Sequence, residues 1–183
     1  MIIFYAGLLD KSRGLKYIVD VVKELEFTKL IIAGNGNYKH VIENESELNK
    51  NINYLGWLNH NDVIEMSHHI DILFAFYDPT IPNNKYASPN KLFESMMCGK
   101  PIIINSETSA SKIVQNENCG ITVEYGNVED IKNALIQLQE SQDLREKQGN
   151  NGRKAYETKY SWKIMEKRLL NAYKDLNEDY HVK

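Results

Sequence analysis

The sequence contains few of the residues on which disulfide frameworks, metal centres and membrane anchors depend. Among its 183 residues there are 2 cysteines, Cys98 and Cys119, which form neither a CxxC pair nor a spaced Cys/His set. A disulfide scaffold and a zinc site are therefore not expected, and both thiols are predicted to be reduced and packed. No run of about 18 apolar residues occurs, and the apolar start at residues 1–5 is too short for a signal peptide. We expect a soluble, cytoplasmic domain.

A net positive charge and several catalytic motifs are also missing. The net charge is -3, whereas surfaces that bind nucleic acid are normally clearly basic, so no nucleic-acid partner is expected. The chain has no G-x-S-x-G elbow for a nucleophilic serine. It also lacks a G-x-G-x-x-G loop, and residues 34–37 offer no acid for an adenosine ribose, so a nicotinamide cofactor is not expected.

Short β-branched runs alternate with amphipathic stretches along the whole chain. Strands are predicted at residues 2–5, 28–33, 52–55, 71–76, 101–104 and 119–124. Helices are predicted at residues 14–26, 37–49, 60–69, 89–98, 107–116, 128–140, 141–158 and 161–178. This alternation predicts an α/β fold, a Rossmann-like doubly wound parallel sheet of about six strands with extra C-terminal helices. Length and composition suit one domain over residues 1–183.

Two loops are expected to form the ligand site of such a sheet. In the strand order 3-2-1-4-5-6, ligands bind beyond the carboxyl ends of the strands, between the first and the fourth strand. Those ends are followed by residues 7–14 and 77–88. The first loop leads into a helix N-terminus, which favours an anion, and Arg13 adds positive charge there. Taken alone, this segment favours the simpler interpretation that Arg13 and Lys11 are exposed surface charges.

The helix after the second loop carries a cation and a carboxylate on one face. Lys91 and Glu94 are three residues apart, and the buried stripe of that helix is predicted to be Leu92, Phe93, Met96 and Met97. A lysine near a helix N-terminus can pair with phosphate, and a carboxylate can accept two sugar hydroxyls. An ordinary salt bridge between the two, worth about 0.2–0.5 kcal/mol, explains them equally well.

Four segments resemble the C-terminal domain of GT-B glycosyltransferases, in particular the retaining enzymes of glycosyltransferase family 4. They are YAGLLDKSRG at residues 5–14, IIAGNG at 31–36, NYLGW at 53–57 and KLFESMMCGKP at 91–101. They are similar, in that order, to a G-R-L-x-x-x-K-G segment, an I-x-G-x-G turn, a strand-and-glycine segment near the nucleotide base, and an E-A-M-A-x-G-x-P block. The resemblance covers nearly the whole chain, and the last block is its most specific part.

The resemblance implies a nucleotide-sugar-binding domain. The donor would be UDP- or GDP-linked, and the parent enzyme would transfer its sugar, with retention, to a glycan or a lipid-linked acceptor in polysaccharide assembly. Glu94 would hold the ribose hydroxyls. Arg13 and Lys91 would be the catalytic residues, neutralising the leaving diphosphate without a metal or another cofactor. The other donor contacts implied are Gly7, Gly34, Gly36, Trp57, Asn90 and Leu92.

The sequence also departs from the family pattern. Leu8 stands where the family often has arginine, and Tyr86 replaces a glutamate, eight residues before Glu94, that usually meets the donor sugar. The segment Pro89-Asn90-Lys91 replaces a glycine-rich stretch. These changes indicate different sugar contacts, so the identity of the donor sugar stays open.

An N-terminal acceptor-binding domain is expected to be absent, because nothing precedes Met1. The chain would then be a fragment, or it would work with a separate partner, and it would be inactive alone. Residues 161–178 resemble the family helix that crosses back toward that domain, and a surface helix explains them equally well. Peripheral attachment to the inner face of a membrane is left open.

Two other functions remain compatible with the sequence. The first is a non-catalytic module that has kept nucleotide binding or serves only as an interaction surface, with Leu8 and Tyr86 as marks of lost chemistry. The second is an enzyme similar to the nucleotide-sugar 2-epimerases, which share this architecture and would need no acceptor.

Overall fold

Six parallel strands form one sheet in the computed structural model, which describes residues 1–181. The strands are β1 (Ile2–Leu8), β2 (Lys29–Asn35), β3 (Ile52–Tyr54), β4 (Ile72–Ala75), β5 (Ile102–Asn105) and β6 (Gly120–Val123). Their order is β3-β2-β1-β4-β5-β6, and every neighbouring pair is parallel. The predicted α/β class and doubly wound order are confirmed, and strand order reverses between β1 and β4.

Helices connect the strands and extend the chain beyond the sheet. They are α1 (Leu15–Glu24), α2 (Lys39–Leu48), α3 (His60–His69), α4 (Pro82–Tyr86), α5 (Asn90–Cys98), α6 (Ser109–Glu117), α7 (Val128–Glu140), α8 (Gln142–Ala155) and α9 (Trp162–His181). A 3-10 turn at Lys11–Arg13 precedes α1, and a π-helical stretch at Tyr156–Tyr160 joins α8 to α9. Within residues 1–181, none of these helices is long and apolar enough to cross a membrane.

Both faces of the sheet are covered, because successive side chains of a strand point to opposite faces. In β1, Ile3 and Tyr5 belong to one apolar cluster, which α1 and α7 complete. Phe4, between them, belongs to a second cluster, to which α5 and α6 contribute. A strand buried on both faces is a near-continuous apolar run, which is why the sequence signal for these strands is strong.

The first two strands run further than the sequence predicts. β1 was expected to end at residue 5 and β2 at residue 33, yet Gly7 pairs with Gly34 and Leu8 with Asn35. A Cβ atom on Gly34 would lie 1.8 Å from the carbonyl oxygen of Gly7, so the two backbones touch where any side chain would separate them. Gly7 and Leu8 therefore belong to a strand, and the first loop begins only at Leu9.

The short helix α4 was not predicted. Its five residues show no apolar periodicity, and only Asn84 among them is buried. The side-chain amide of Asn84 donates to the carbonyl oxygen of Asp78 at 3.1 Å, which ties this turn back to the start of its own loop. A tertiary contact of this kind leaves no periodic signal in a sequence.

Candidate functional site

A cavity of about 600 Å³ opens at the carboxyl ends of β1 and β2 and is closed on its other side by α5. This volume lies within the usual range for small-molecule sites. The strand order predicted a site between β1 and β4, in residues 7–14 and 77–88; of these, Gly7, Leu8 and Tyr77 line the cavity, which extends toward β2 instead of along the two loops. Its walls are formed by Ala6, Gly7, Leu8, Ala33, Gly34, Asn35, Trp57, Leu58, His60, Val63, Tyr77, Asn90, Lys91 and Glu94. Six of the predicted donor contacts, Gly7, Gly34, Trp57, Asn90, Lys91 and Glu94, are therefore brought together.

Lys91 lies mostly buried at the base of this cavity. Its ammonium nitrogen is 4.5 Å from the centre of the Tyr5 ring, and a Cβ on Gly7 would come within 2.6 Å of it. In the described part of the chain no carboxylate lies within 4.0 Å of this nitrogen, so the salt bridge with Glu94 does not form. Burial lowers the pKa of Lys91 to about 8, Glu94 opposes that shift, and Arg13 adds to it.

Glu94 presents its carboxylate to the same cavity from the next turn of α5. The side chain is 17% exposed, and one oxygen lies 4.0 Å from Nδ1 of His60, which is itself exposed and also lines the cavity. The carboxylate accepts no hydrogen bond from the residues that the structure describes. It is therefore free to accept hydrogen bonds from a ligand.

Arg13 stands next to the cavity without lining it. Its guanidinium carbon lies 4.4 Å from the centre of the Tyr77 ring, and Nη1 makes a long contact of 3.5 Å with Oδ1 of Asn84. Tyr77 does line the cavity. The guanidinium is thus held by a cation–π contact at the rim, close enough for its charge to lower the pKa of Lys91.

Two other predicted contacts lie outside the cavity. The side chain of Leu92 is completely buried among the core residues of α5, so only its main chain could reach a ligand. A Cβ on Gly36 would lie 2.2 Å from the carbonyl oxygen of Leu9. For Gly36 this close backbone approach gives a structural reason for glycine that needs no ligand.

The three departures from the family pattern occupy different places. Leu8 is half-exposed on the cavity wall, so its apolar side chain would face a ligand directly. Tyr86 is the last residue of α4, is 72% exposed, and does not line the cavity. The segment Pro89-Asn90-Lys91 places Asn90 and Lys91 on the cavity wall, so the first and third departures change the chemistry of the cavity and the second does not.

Three residues that shape the site were not singled out from the sequence. Tyr5 supports the ammonium of Lys91, and Tyr77 supports the guanidinium of Arg13. Asn105, the last residue of β5, is completely buried and forms hydrogen bonds with both main-chain groups of Tyr77. An amide at the end of an otherwise apolar strand was the available signal for Asn105.

The model of one protein family, glycosyl transferases group 1, matches residues 1–155. The chain belongs to this family. Among curated relatives, the capsular polysaccharide biosynthesis glycosyltransferase CapM of Staphylococcus aureus is 26% identical over 180 residues. That match covers 94% of this chain and 45% of CapM, so the chain spans less than half of the length of this relative.

Solved structures show the same fold. The C-terminal domain of a glycosyl transferase group 1 family protein, LpcC from Francisella tularensis, is 18% identical, with a TM-score of 0.69 over 88% of this chain and 86% of that one. The Anabaena protein HepE, solved in complex with UDP, is 14% identical, with a TM-score of 0.81 over 95% of this chain and 48% of HepE. The chain therefore has the fold of a C-terminal GT-B domain.

Proposed function

We propose that this chain binds a nucleoside diphosphate sugar in the cavity and forms the donor-binding part of a glycosyltransferase. The observation that carries the proposal is that a cationic and an anionic side chain, Lys91 and Glu94, line the same side of the cavity. Among the residues that the structure describes, the Lys91 ammonium has no carboxylate within 4.0 Å, and the Glu94 carboxylate accepts no hydrogen bond and has His60 at 4.0 Å. Both groups face the same cavity from α5, three residues apart. A ligand with an anionic part and neighbouring hydroxyls would satisfy both groups.

Five of the lining residues, and Arg13 beside them, have a role in this proposal. Lys91 meets the diphosphate next to Gly7, where the missing side chain leaves room for the ammonium group. Glu94 accepts the two ribose hydroxyls. The exposed ring of Trp57 offers a surface on which the base can stack, and Asn90, at the first turn of α5, lies next to the phosphates. Arg13 contributes positive charge from the rim.

The chemistry proposed for the whole enzyme is transfer of the glycosyl group with retention. The bond between the anomeric carbon and the diphosphate oxygen breaks, an acceptor oxygen bonds to that carbon, and the acceptor proton is released. Lys91 and Arg13 would stabilise the negative charge that develops on the leaving diphosphate, without a metal. A glycan or lipid-linked acceptor would be held by a further part of the enzyme. The resemblance to family 4 supports retention, and the curated role of CapM in capsular polysaccharide biosynthesis supports a glycan product.

Calorimetric titration of the chain with UDP, GDP and ADP tests the donor site. One nucleotide is expected to bind, and Arg13→Ala and Glu94→Ala are each expected to weaken it by about 1–3 kcal/mol, as for a lost charge-assisted hydrogen bond. Lys11→Ala is the matched control for Arg13, because Lys11 is an exposed cation of the same 3-10 turn, whereas Arg13 lies against Tyr77, which lines the cavity. The Lys11→Ala substitution is expected to change the free energy of nucleotide binding by less than about 0.5 kcal/mol.

Two outcomes would contradict the proposal. If none of the three nucleotides binds to the folded chain, the cavity is not a donor site of this chain. If Lys11→Ala weakens binding as much as Arg13→Ala, the attraction comes from overall charge and the assigned contacts are wrong. A nucleotide that binds while the sugar nucleotide is converted without any acceptor would instead support the epimerase alternative.

A further inference from the structure

Asn105 forms a buried hydrogen-bond clamp on the main chain of Tyr77. The β4–β5 ladder ends with the pair Ala75 and Ile104, so Tyr77 lies beyond the last regular strand pairing. Oδ1 of Asn105 accepts from the main-chain N–H of Tyr77 at 2.9 Å, and Nδ2 donates to the carbonyl oxygen of Tyr77 at 3.1 Å. One side chain thus satisfies both polar main-chain groups of a residue that has left the sheet.

The orientation of this amide is fixed by its three partners. The main-chain N–H of Tyr77 can only donate, and its carbonyl oxygen can only accept. Oε2 of Glu107 also accepts from Nδ2 of Asn105, at 3.0 Å, while Oε1 of Glu107 accepts from the main-chain N–H of Tyr125. Burial opposes ionisation of Glu107, but these hydrogen bonds outweigh it and lower the pKa of that carboxyl, so its carboxylate form is favoured.

The clamp is connected to the cavity through one aromatic ring. Tyr77 lines the cavity, whereas Asn105 is completely buried and does not. The guanidinium of Arg13 rests on the Tyr77 ring at 4.4 Å. Because the ring position follows from the main chain that carries it, a displaced Tyr77 backbone would move the surface on which Arg13 lies.

We propose that Asn105 is a positioning residue for the diphosphate of the donor: it holds Tyr77, whose ring holds the Arg13 guanidinium beside the cavity. The nature of the ligand rests on the function proposed above, whereas the positioning of Arg13 does not. Asn105 touches no ligand in this arrangement and acts only through Tyr77 and Arg13.

NMR spectroscopy of the arginine side chains reports the position of the Arg13 guanidinium without any ligand. The chain has four arginines, Arg13, Arg145, Arg153 and Arg168, so the Arg13 signal can be assigned from its loss in Arg13→Lys. The ring current of Tyr77 should move the chemical shift of the Arg13 Nε–H away from the value of free arginine. Asn105→Asp keeps the size of the side chain and the oxygen that accepts from the Tyr77 N–H. It replaces the donating Nδ2 by a carboxylate oxygen, which then faces the Tyr77 carbonyl and Glu107. It should return the Arg13 resonance toward the free value, and Asn105→Ser should do the same if the Asp variant does not fold.

Ser111→Ala is the matched control. Ser111 is also buried, and its hydroxyl donates to the carbonyl oxygens of Ser106 and Thr108 in the same region, without contacting Tyr77. This variant should lose stability, as the Asn105 variants do, but leave the Arg13 resonance in place. An Arg13 resonance that stays unmoved in folded Asn105→Asp or Asn105→Ser would overturn the proposal.

Binding of the nucleoside diphosphate provides the second readout. Asn105→Asp should weaken the affinity about tenfold, which is the size of one lost charge-assisted contact. In the Arg13→Ala background the same substitution should change the affinity by less than about twofold, because the two act through one contact. An equal loss in both backgrounds would overturn the proposal. If the wild-type chain binds no nucleotide, the proposed function fails, and the Arg13 resonance still decides whether Asn105 positions this side chain.

Discussion

At the scale of single residues, the protonation of Lys91 is the property most directly coupled to the proposed function. Burial lowers its pKa from 10.5 to about 8, so the neutral amine becomes populated in mildly alkaline solution. A bound diphosphate favours the ammonium form and raises that pKa again. Binding above pH 8 must therefore take up a proton, and the affinity must fall as the pH rises. Burial raises the pKa of Tyr5, the aromatic neighbour, so its hydroxyl stays protonated in this range.

We expect the affinity for the nucleoside diphosphate to be about tenfold lower at pH 9 than at pH 7, since most of Lys91 is neutral at pH 9. Titration calorimetry in two buffers with different ionisation enthalpies would show the proton uptake directly. The control is Lys91→Met, which keeps the unbranched stem of the side chain without its titratable group and should bind weakly with no pH dependence in this range. If the methionine variant retains the same fall in affinity, another group titrates and Lys91 is not the cause.

The sequence predicted the residues of α5 better than it predicted Arg13. Lys91 and Glu94 share a helix face because three residues span nearly one turn, so helical periodicity alone brings them together. The location of Arg13 depends on two contacts with residues far along the chain, Tyr77 and Asn84, and no local pattern encodes such contacts. The same reason explains why the clamp formed by Asn105 was not predicted.

At the scale of elements, the close approach of β1 and β2 forms the floor of the cavity. Gly34 has a φ of 134°, and a Cβ there would lie 1.8 Å from the carbonyl oxygen of Gly7. Gly34→Ala should therefore lower the free energy of unfolding by about 3 kcal/mol or more, because main chain must shift to relieve the contact. Chemical denaturation would measure this loss of stability. The Gly34→Ala variant should also lose nucleotide binding.

Gly56→Ala is the matched control for that prediction. Gly56 also has a positive φ, of 75°, but no atom lies within 4 Å of a Cβ at this position. Only the left-handed conformation then opposes alanine, at a cost of about 1–2 kcal/mol. If Gly34→Ala is no more destabilising than Gly56→Ala, the two strands can separate easily and the cavity floor is not held by their contact.

The end of β1 and the helix α4 could not be predicted from the local sequence. The residues Ala6 and Gly7 have weak strand preference, so propensity ended β1 at residue 5, whereas pairing with β2 carries it to Leu8. In α4, the packing of Asn84 replaces the missing apolar stripe. In both cases a tertiary contact determined a local conformation that the local sequence does not favour.

At the scale of the whole molecule, the order of the strands followed from their alternation with helices. Strands with apolar side chains on both faces need helices on both faces, and right-handed crossovers leave few orders available. The edge of the sheet at which the cavity lies was therefore predictable, whereas its extension from β1 toward β2 was not. The resemblance supplied what the alternation could not, namely the chemistry of the ligand.

The C-terminal helix is peripheral to this arrangement, and that leads to a last prediction. In α9, residues 166–176 are all exposed, and they include the large apolar side chains Leu169, Leu170, Tyr173 and Leu176. Leu135, in α7, is completely buried in the core beside the sheet. Replacing Leu169 and Leu170 together by glutamine removes apolar surface that is already in water. The free energy of unfolding should therefore change by less than about 0.5 kcal/mol.

Leu135→Ala is the comparison for that double variant, because it deletes side-chain atoms from a packed core and should cost about 2–5 kcal/mol. Urea denaturation of the three proteins at one concentration would separate the two effects. A loss in the double variant as large as that of Leu135→Ala would mean that the apolar side chains of α9 are buried in solution, by the chain itself or by a second copy. Repeating the measurement over a range of protein concentrations would distinguish these, since only burial against a second copy depends on concentration.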